Sequence, residues 1–205
     1  MAHPVLPHWI DGKPSSASAN RVGDIFNPAT GQKIAEVAFA DAGQVNAAVE
    51  SARIASLSWS QVPVTRRSQV FYRFRSLLAE HATELAQLIS LEHGKTVDDA
   101  RGEIARGLEV VEFVCGIPQL LKGELSPNVS TGVDLTTVRE PLGVVAGITP
   151  FNFPAMVGLW MYPVAIACGN AFILKPSERD PSVANRIAEL FSEAGLPEGV
   201  FNVVH

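Results

Sequence analysis

Two apolar runs, each stopped by a proline-bearing polar turn and set one helix apart, constrain this chain more than any other feature. The first is Gly143-Val144-Val145-Ala146-Gly147-Ile148, followed by Thr149-Pro150-Phe151-Asn152-Phe153-Pro154. Val144 to Ile148 carries no charge and lies between Gly143 and Pro150, the pattern of a short strand covered on both faces. Pro150 fixes its own φ and biases Thr149 away from the α region, so the strand ends in a non-helical turn. Pro154 suits the first turn of a helix, where its missing N–H is no loss. The largely apolar segment from Pro154 to Gly169 reads as that helix, ended by Gly169-Asn170. Ala171-Phe172-Ile173-Leu174-Lys175 is the second strand, and it stops on Pro176-Ser177-Glu178. Ser182 to Ala194 forms a further helix, with Val183, Ile187, Leu190 and Phe191 inward and Gly195 ending it. Val200 to Val204 is a third strand. This βαβαβ run is half of a doubly wound α/β sheet.

That topology places chemistry. In open α/β sheets ligands bind outside the carboxyl ends of the strands. Asn152 and the Lys175/Glu178 pair are therefore expected on one rim, at neighbouring strands. The Asn152 amide can donate to a developing oxyanion. A cation and a carboxylate beside one cleft can both hydrogen-bond a ribose diol, and the carboxylate would repel a 2′-phosphate, which favours NAD over NADP. Plainer roles stand beside these. Asn152 could cap the following helix, Lys175 and Arg179 could be surface residues, Glu178 could answer a helix dipole, and Phe151 could be core.

Gly147 to Pro154, then Ala167-Cys168-Gly169-Asn170, then Leu174-Lys175-Pro176-Ser177-Glu178 resemble the aldehyde dehydrogenase superfamily. The wording is most similar to its CoA-acylating branch, the methylmalonate-semialdehyde dehydrogenases. Glu92-His93-Gly94-Lys95-Thr96 and the run Arg106-Gly107-Leu108-Glu109-Val110-Val111-Glu112 support that branch. The resemblance extends from Trp9-Ile10-Asp11-Gly12-Lys13 to Phe201-Asn202-Val203-Val204-His205. It implies the amino-terminal part of that fold: a Rossmann-like parallel sheet with flanking helices plus an oligomerisation hairpin. The expected division is 1–125 for amino-terminal strands and helices of the NAD-binding domain, 126–139 for the protruding hairpin, and 140–205 for the first half of the NAD-binding sheet.

The resemblance also implies roles. Asn152 would stabilise the oxyanion formed when a cysteine thiolate attacks an aldehyde. Thr149, Pro150 and Phe151 would line the nicotinamide-ribose side of NAD. Lys175 and Glu178 would hold the adenosine ribose, with Arg179 near the adenine. Arg106 would meet the carboxylate of a semialdehyde substrate, methylmalonate or malonate semialdehyde, since a guanidinium holds a carboxylate through two parallel bonds. Coenzyme A would take the acyl group. Many hydrolytic relatives carry a lysine where Trp160 stands, and its loss fits release to CoA. The family's nucleophilic cysteine, general-base glutamate and pyrophosphate-binding helix would lie beyond His205, so this chain alone is expected to be inactive. Two other readings remain: a non-acylating aldehyde dehydrogenase, and a non-catalytic nucleotide-binding or assembly module.

The two cysteines do not fit the nucleophile role. Cys115 lies on an apolar helix beside Val114, and Cys168 lies at a helix end beside Gly169, both as small packing residues. With no CxxC pairing, a reduced cytoplasmic setting is expected. Of the 205 residues 47% are hydrophobic and 18% charged, which suits a globular domain with a core. A net charge of −5 argues against a nucleic-acid or anionic-membrane surface. No apolar run reaches membrane-spanning length, and Met1-Ala2-His3-Pro4 does not begin a signal peptide. No GxGxxG is present. Gly143 and Gly147 suggest close strand packing rather than a phosphate cradle.

Upstream, residues 1–40 read as short strands and turns, with Trp9 to Lys13 a strand–turn–strand, Asn27 to Gly31 a turn and Ile34 to Phe39 a strand. Asp41 and Gln44 form a capping box for a helix with Ala42, Val45, Val49, Ala52 and Ala55 in period. Helices follow at about Val64–His81 and at Ala82–His93, the latter stopped by Gly94. Thr96 caps a fourth, whose stripe is Ala100, Ile104, Leu108, Val111 and Val114, with a break expected near Pro118. Arg101 on that helix reads as solvated surface, and the same plain role stands beside the carboxylate role for Arg106. Ser126 to Thr137 alternates around Thr131-Gly132 as a β-hairpin, which needs a partner surface. The resemblance implies that the partner is another subunit of a homo-oligomer, a dimer or tetramer. A strand ending at Val204 would leave an open sheet edge.

Overall fold

The computed structural model describes residues 3–15 and 21–205; Met1 and Ala2, part of the start read for a targeting signal, lie outside them. Five short strands come first: β1 (Val5–Leu6), β2 (His8–Ile10), β3 (Lys13–Ser15), β4 (Arg21–Asn27) and β5 (Gln32–Phe39). Helices α1 (Ala42–Trp59), α2 (Val64–Glu80), α3 (Ala82–His93), α4 (Val97–Cys115) and α5 (Ile117–Leu120) follow. The hairpin strands β6 (Leu125–Ser130) and β7 (Val133–Thr136) precede β8 (Val144–Ile148). The chain closes with α6 (Met156–Leu159), α7 (Tyr162–Ala167), β9 (Ala171–Lys175), α8 (Ser182–Glu193) and β10 (Phe201–Val203).

Local chemistry explains most boundaries. Asp41 Oδ1 accepts from the Gln44 N–H at 2.9 Å and Gln44 Oε1 accepts from the Asp41 N–H at 2.8 Å, so both orphan donors at the start of α1 are met. Thr96 Oγ1 accepts from the Asp99 N–H at 3.2 Å and opens α4. Gly94 ends α3 in the left-handed region, at φ 88°.

The central sheet has the order β3-β2-β10-β9-β8. Strands β8, β9 and β10 are parallel, with Phe172 opposite both Val145 and Phe201, and Leu174 opposite both Gly147 and Val203. Helices α1, α7 and α8 pack on these strands. Phe172, Leu174, Phe201 and Val203 join the apolar core with Phe74, Tyr162 and Phe191. Phe74 stacks on Phe191 with ring centres 3.6 Å apart, and the Phe201 ring lies 4.6 Å from that of Tyr162. A second sheet, β1-β5-β4, and the separate β6-β7 pair complete the β structure among the described residues.

Five expectations are corrected. The Pro154–Gly169 segment is not one helix but two short pieces, α6 and α7, with the break at Trp160-Met161. Pro163 is the cause: it has no N–H to offer the Leu159 carbonyl and its ring crowds that oxygen. Strand β8 is not covered on both faces. It is the sheet's edge, and Ile148 is 79% exposed. The strand after Val200 is not an open edge, because β2 pairs with it antiparallel, Trp9 opposite Val203. On α1 the buried face is Ala48, Ala52, Ala55, Ser56 and Trp59, while Val45 and Val49 stand exposed. Of Gly143 and Gly147, the latter alone packs closely: a Cβ there would lie 2.7 Å from Phe172 and 2.8 Å from Met161, whereas Gly143 has open space and a φ of 106°.

Candidate active-site rim

Parallel pairing sets the register of the rim. Ile148 lies opposite Lys175, and the Thr149 N–H donates to the Lys175 carbonyl at 3.1 Å. Beyond that bond both strands end together. The turn Thr149–Pro154 leaves β8, and Pro176–Asp180 leaves β9, on the same side of the sheet. The Asn152 and Lys175/Glu178 placements expected from the strand pattern therefore hold.

The turn carrying Asn152 is gripped from beneath. Lys95 Nζ donates to the Asn152 carbonyl at 3.0 Å and pairs with Glu103 Oε2 at 2.8 Å. Glu103 Oε1 accepts from the N–H groups of Ala155 at 2.8 Å and Met156 at 3.0 Å. These are donors that the start of α6 would otherwise leave orphaned. Asn152 itself is exposed, and α6 has no side-chain cap from its flanking residue, so the helix-cap role for Asn152 is excluded. Neither Lys95 nor Glu103 was read as a site residue. A signal was present: Glu103 falls in register with Ala100, Gly107, Val111 and Val114, an acid on the inward stripe of α4.

On the neighbouring turn, Lys175 Nζ and Glu178 Oε2 are 3.0 Å apart, with side chains 41% and 50% exposed. Its own backbone N–H first, and then Lys175, holds the Glu178 carboxyl below its ordinary range. Such an exposed pair adds little stability and remains available to a ligand. The Arg179 guanidinium sits 4.7 Å from the centre of the Phe151 ring, and the His93 ring stacks with Phe151 at 6.3 Å between centres; Phe151 is not core but a 45%-exposed surface ring. These contacts tie the two turns across a cleft of about 510 Å³ whose lining includes Phe151, Glu178 and Arg179. Asn152 and Lys175 are not in that lining. Thr149 is buried with an unpartnered hydroxyl, and Pro150 is exposed.

Asp180 is a third residue that sequence reasoning missed. It lines the cleft, is 1% exposed, and neither carboxylate oxygen has a hydrogen-bond partner. Burial above all pushes its pKa from 3.8 to about 7, with Glu92 and Glu103 adding to the rise and Ser177 and Lys95 opposing it. Glu92 is also buried, and its carboxyl is raised by desolvation although Ser182 donates to it from both N–H and hydroxyl.

Arg106 is exposed on α4 and is not among the residues lining the cleft. It follows Glu103 by one turn and precedes Gly107, where an added Cβ would lie 2.3 Å from Leu159 of α6. Arg101 is exposed and donates to Thr83 Oγ1 at 3.1 Å. Cys115 is buried and Cys168 partly so, and desolvation raises both thiols, which disfavours the thiolate. Among the described residues no group of three or more His, Cys, Asp or Glu is placed to hold a metal ion, and no helix is long and apolar enough to cross a membrane.

Three parallel strands within a mixed sheet, a strand-end rim with an exposed asparagine, and an adjacent lysine–glutamate pair belong to a recognisable class. Residues 15–205 match the aldehyde dehydrogenase family, and the chain belongs to it. Its relatives narrow the comparison. It is 56% identical over 200 residues to the malonate-semialdehyde dehydrogenase of Pseudomonas aeruginosa, covering 98% of this chain and 40% of that protein. A solved Sinorhizobium meliloti structure, assigned as a methylmalonate-semialdehyde dehydrogenase and complexed with NAD, superposes with a TM-score of 0.96 at 54% identity, over 100% of this chain and 41% of that one. The methylmalonate-semialdehyde dehydrogenase structure from Oceanimonas doudoroffii gives 0.95 at 50% identity, again over 100% and 41%. The architecture is thus the amino-terminal part of the aldehyde dehydrogenase fold, and the chain spans about 40% of the length of the curated relatives it matches.

Proposed function

We propose that this chain supplies the oxyanion donor and the ribose contacts of an NAD-dependent, CoA-acylating semialdehyde dehydrogenase. The observation that carries the reading is the rim itself: Asn152 and Lys175/Glu178 leave paired ends of adjacent parallel strands. The exposed Lys175–Glu178 pair fits a ribose diol, with the ammonium donating and the carboxylate accepting. Glu178 disfavours a 2′-phosphate by charge. Thr149, Pro150 and Phe151 form the wall towards the nicotinamide end, and Arg179, already stacked on Phe151, offers a planar cation to an adenine. Bound NAD supplies the hydride acceptor.

Asn152 acts on the aldehyde. A cysteine thiolate from a segment other than those described adds to the carbonyl carbon, and the oxygen gains the negative charge. The Asn152 amide donates to that oxygen, more strongly as charge develops. Loss of hydride from the carbon restores the carbonyl as a thioester, which the CoA thiol then attacks. Arg106 holds the distal carboxylate of malonate or methylmalonate semialdehyde. The division into 1–125, 126–139 and 140–205 belongs to the same proposal, as does pairing of the hairpin with another subunit in a dimer or tetramer. The reduced cytoplasmic setting is supported by two free cysteines.

In the complete enzyme, Asn152→Ala is expected to lower kcat by about 10²- to 10³-fold with KM for NAD nearly unchanged. A full rate in that variant ends the reading. Glu178→Gln is expected to narrow the preference for NAD over NADP by about 10-fold, measured as a ratio of kcat/KM values. Formation of a malonyl or methylmalonyl CoA thioester, or of the acetyl or propionyl thioester that remains after loss of CO2, rather than free acid, tests the acyl acceptor. One observation favours a second reading, nucleotide binding without turnover by these residues alone: desolvation raises both thiols. NAD titration into the 205-residue chain checks it.

A further inference from the structure

We propose that Lys95, locked against Glu103, is a positioning residue that keeps the Asn152 amide free and aimed at the oxyanion; the inference rests on Asn152 being that donor. A lone asparagine three residues before the first free N–H of a helix ordinarily folds back and caps it. Here that outcome is blocked twice. Glu103 Oε1 already occupies the Ala155 and Met156 N–H groups, at 2.8 and 3.0 Å. Lys95 Nζ holds the Asn152 carbonyl at 3.0 Å, and lies 4.5 Å from the centre of the Phe153 ring.

One ion pair therefore grips the turn at residues 152, 153, 155 and 156. Its own footing is rigid. The Lys95 side chain is 7% exposed and that of Glu103 is fully buried, with 2.8 Å between Nζ and Oε2. The Lys95 carbonyl accepts from Ser90 Oγ at 2.7 Å, which ties the lysine to the end of α3. A buried ion pair is weak as a source of stability compared with an apolar pair of the same shape. Its value here is geometric: two bonds to backbone donors and one to a backbone carbonyl define where the Asn152 side chain starts. Neither Lys95 nor Glu103 need touch substrate for this. A shift of the donor by about 1 Å is enough to slow such a reaction about 100-fold.

The test is a double-mutant cycle on the complete enzyme. Lys95→Met combined with Glu103→Gln keeps the shapes of both side chains and an acceptor for the α6 donors, but removes the grip on the Asn152 carbonyl. It is expected to lower kcat by about 10- to 100-fold with KM for NAD within about 2-fold. Added to Asn152→Ala, the same pair is expected to cause no further loss, because the donor it positions is gone. Lys95→Arg, which keeps a cation and carries the lower risk of misfolding, is expected to retain more of the rate than the neutral pair. An unchanged kcat in the neutral pair overturns the proposal, as does an undiminished loss in the Asn152→Ala background, which marks a general structural role. A full rate in Asn152→Ala alone removes the function reading as well, so the two failures are told apart.

Discussion

The rim at Thr149–Asp180 and the hairpin at Leu125–Thr136 are both short turns built on β-strands, yet they are held by opposite means. Beneath the rim lie a buried ion pair, a buried unpartnered carboxylate and the core of α4. The hairpin is open to solvent among the described residues: every residue from 122 to 140 is exposed, Leu125 by 67% and Leu135 by 58%. Its shape rests on ladder bonds, the Gly132 turn at φ 72°, and a bond from the Asn128 N–H to Asp134 at 2.9 Å. The contrast teaches that the rim's geometry is set from inside the molecule, while the hairpin's side chains are free to be specified by whatever covers them. An exposed two-stranded ribbon with apolar teeth is marginal alone.

The sharpest way to break the contrast is to empty the rim's foundation. Glu103→Ala removes the buried carboxylate closest to Lys95, leaving only Asp99 at 3.6 Å, and orphans the Ala155 and Met156 N–H groups. A loss of about 3–5 kcal/mol is expected, read from the denaturant midpoint against the parent chain. A loss below about 1 kcal/mol would show that the ion pair does not organise the turn.

Asp180 sharpens the same point with a smaller effect and the opposite sign. Its folded pKa is about 7 against an ordinary 3.8, so between those values the folded chain holds a proton that the unfolded chain has released. Stability from this group therefore falls as pH rises through that window, and the loss is complete above it. Asp180→Asn is expected to flatten the profile between pH 4 and 7 and to raise stability by on the order of 2 kcal/mol at pH 8. Melting temperatures of the two proteins across that range check it; parallel profiles would refute it.

The smallest effect belongs to the hairpin. Leu135→Ser is expected to change subunit stability by less than about 0.5 kcal/mol, as for exposed sites generally. If the hairpin pairs between subunits, the same change shifts the assembly towards smaller species in light scattering. A large destabilisation with unchanged assembly would mean that the hairpin packs on its own chain.

Much of the local structure was legible in the chain. Strands β8 and β9 and helix α3 fall where Pro, Gly and Lys punctuation puts them, since those residues act through their own backbone. The break between α6 and α7 was hidden by an unbroken apolar run, though Pro163 carried the signal. The pairing of β2 with β10 was not legible, because it joins residues at opposite ends of the chain. At the site, the placement of Asn152, Lys175 and Glu178 followed from strand ends alone. Lys95 and Asp180 were missed because their surroundings come from other elements: a lysine after a helix-ending glycine and an acid before a proline look like ordinary surface residues in one dimension.

Sequence by itself determined the strand–helix alternation, the stops at Pro150 and Pro176, and hence which polar residues stand at strand ends, because φ restriction and apolar periodicity act over a few residues. Tertiary structure decided which edge is open, which carboxylates are desolvated, and that Glu103 rather than Asn152 satisfies the start of α6. Hydrogen-bond partners and dielectric surroundings are properties of neighbours in space, and only the folded chain brings residue 103 to residue 155.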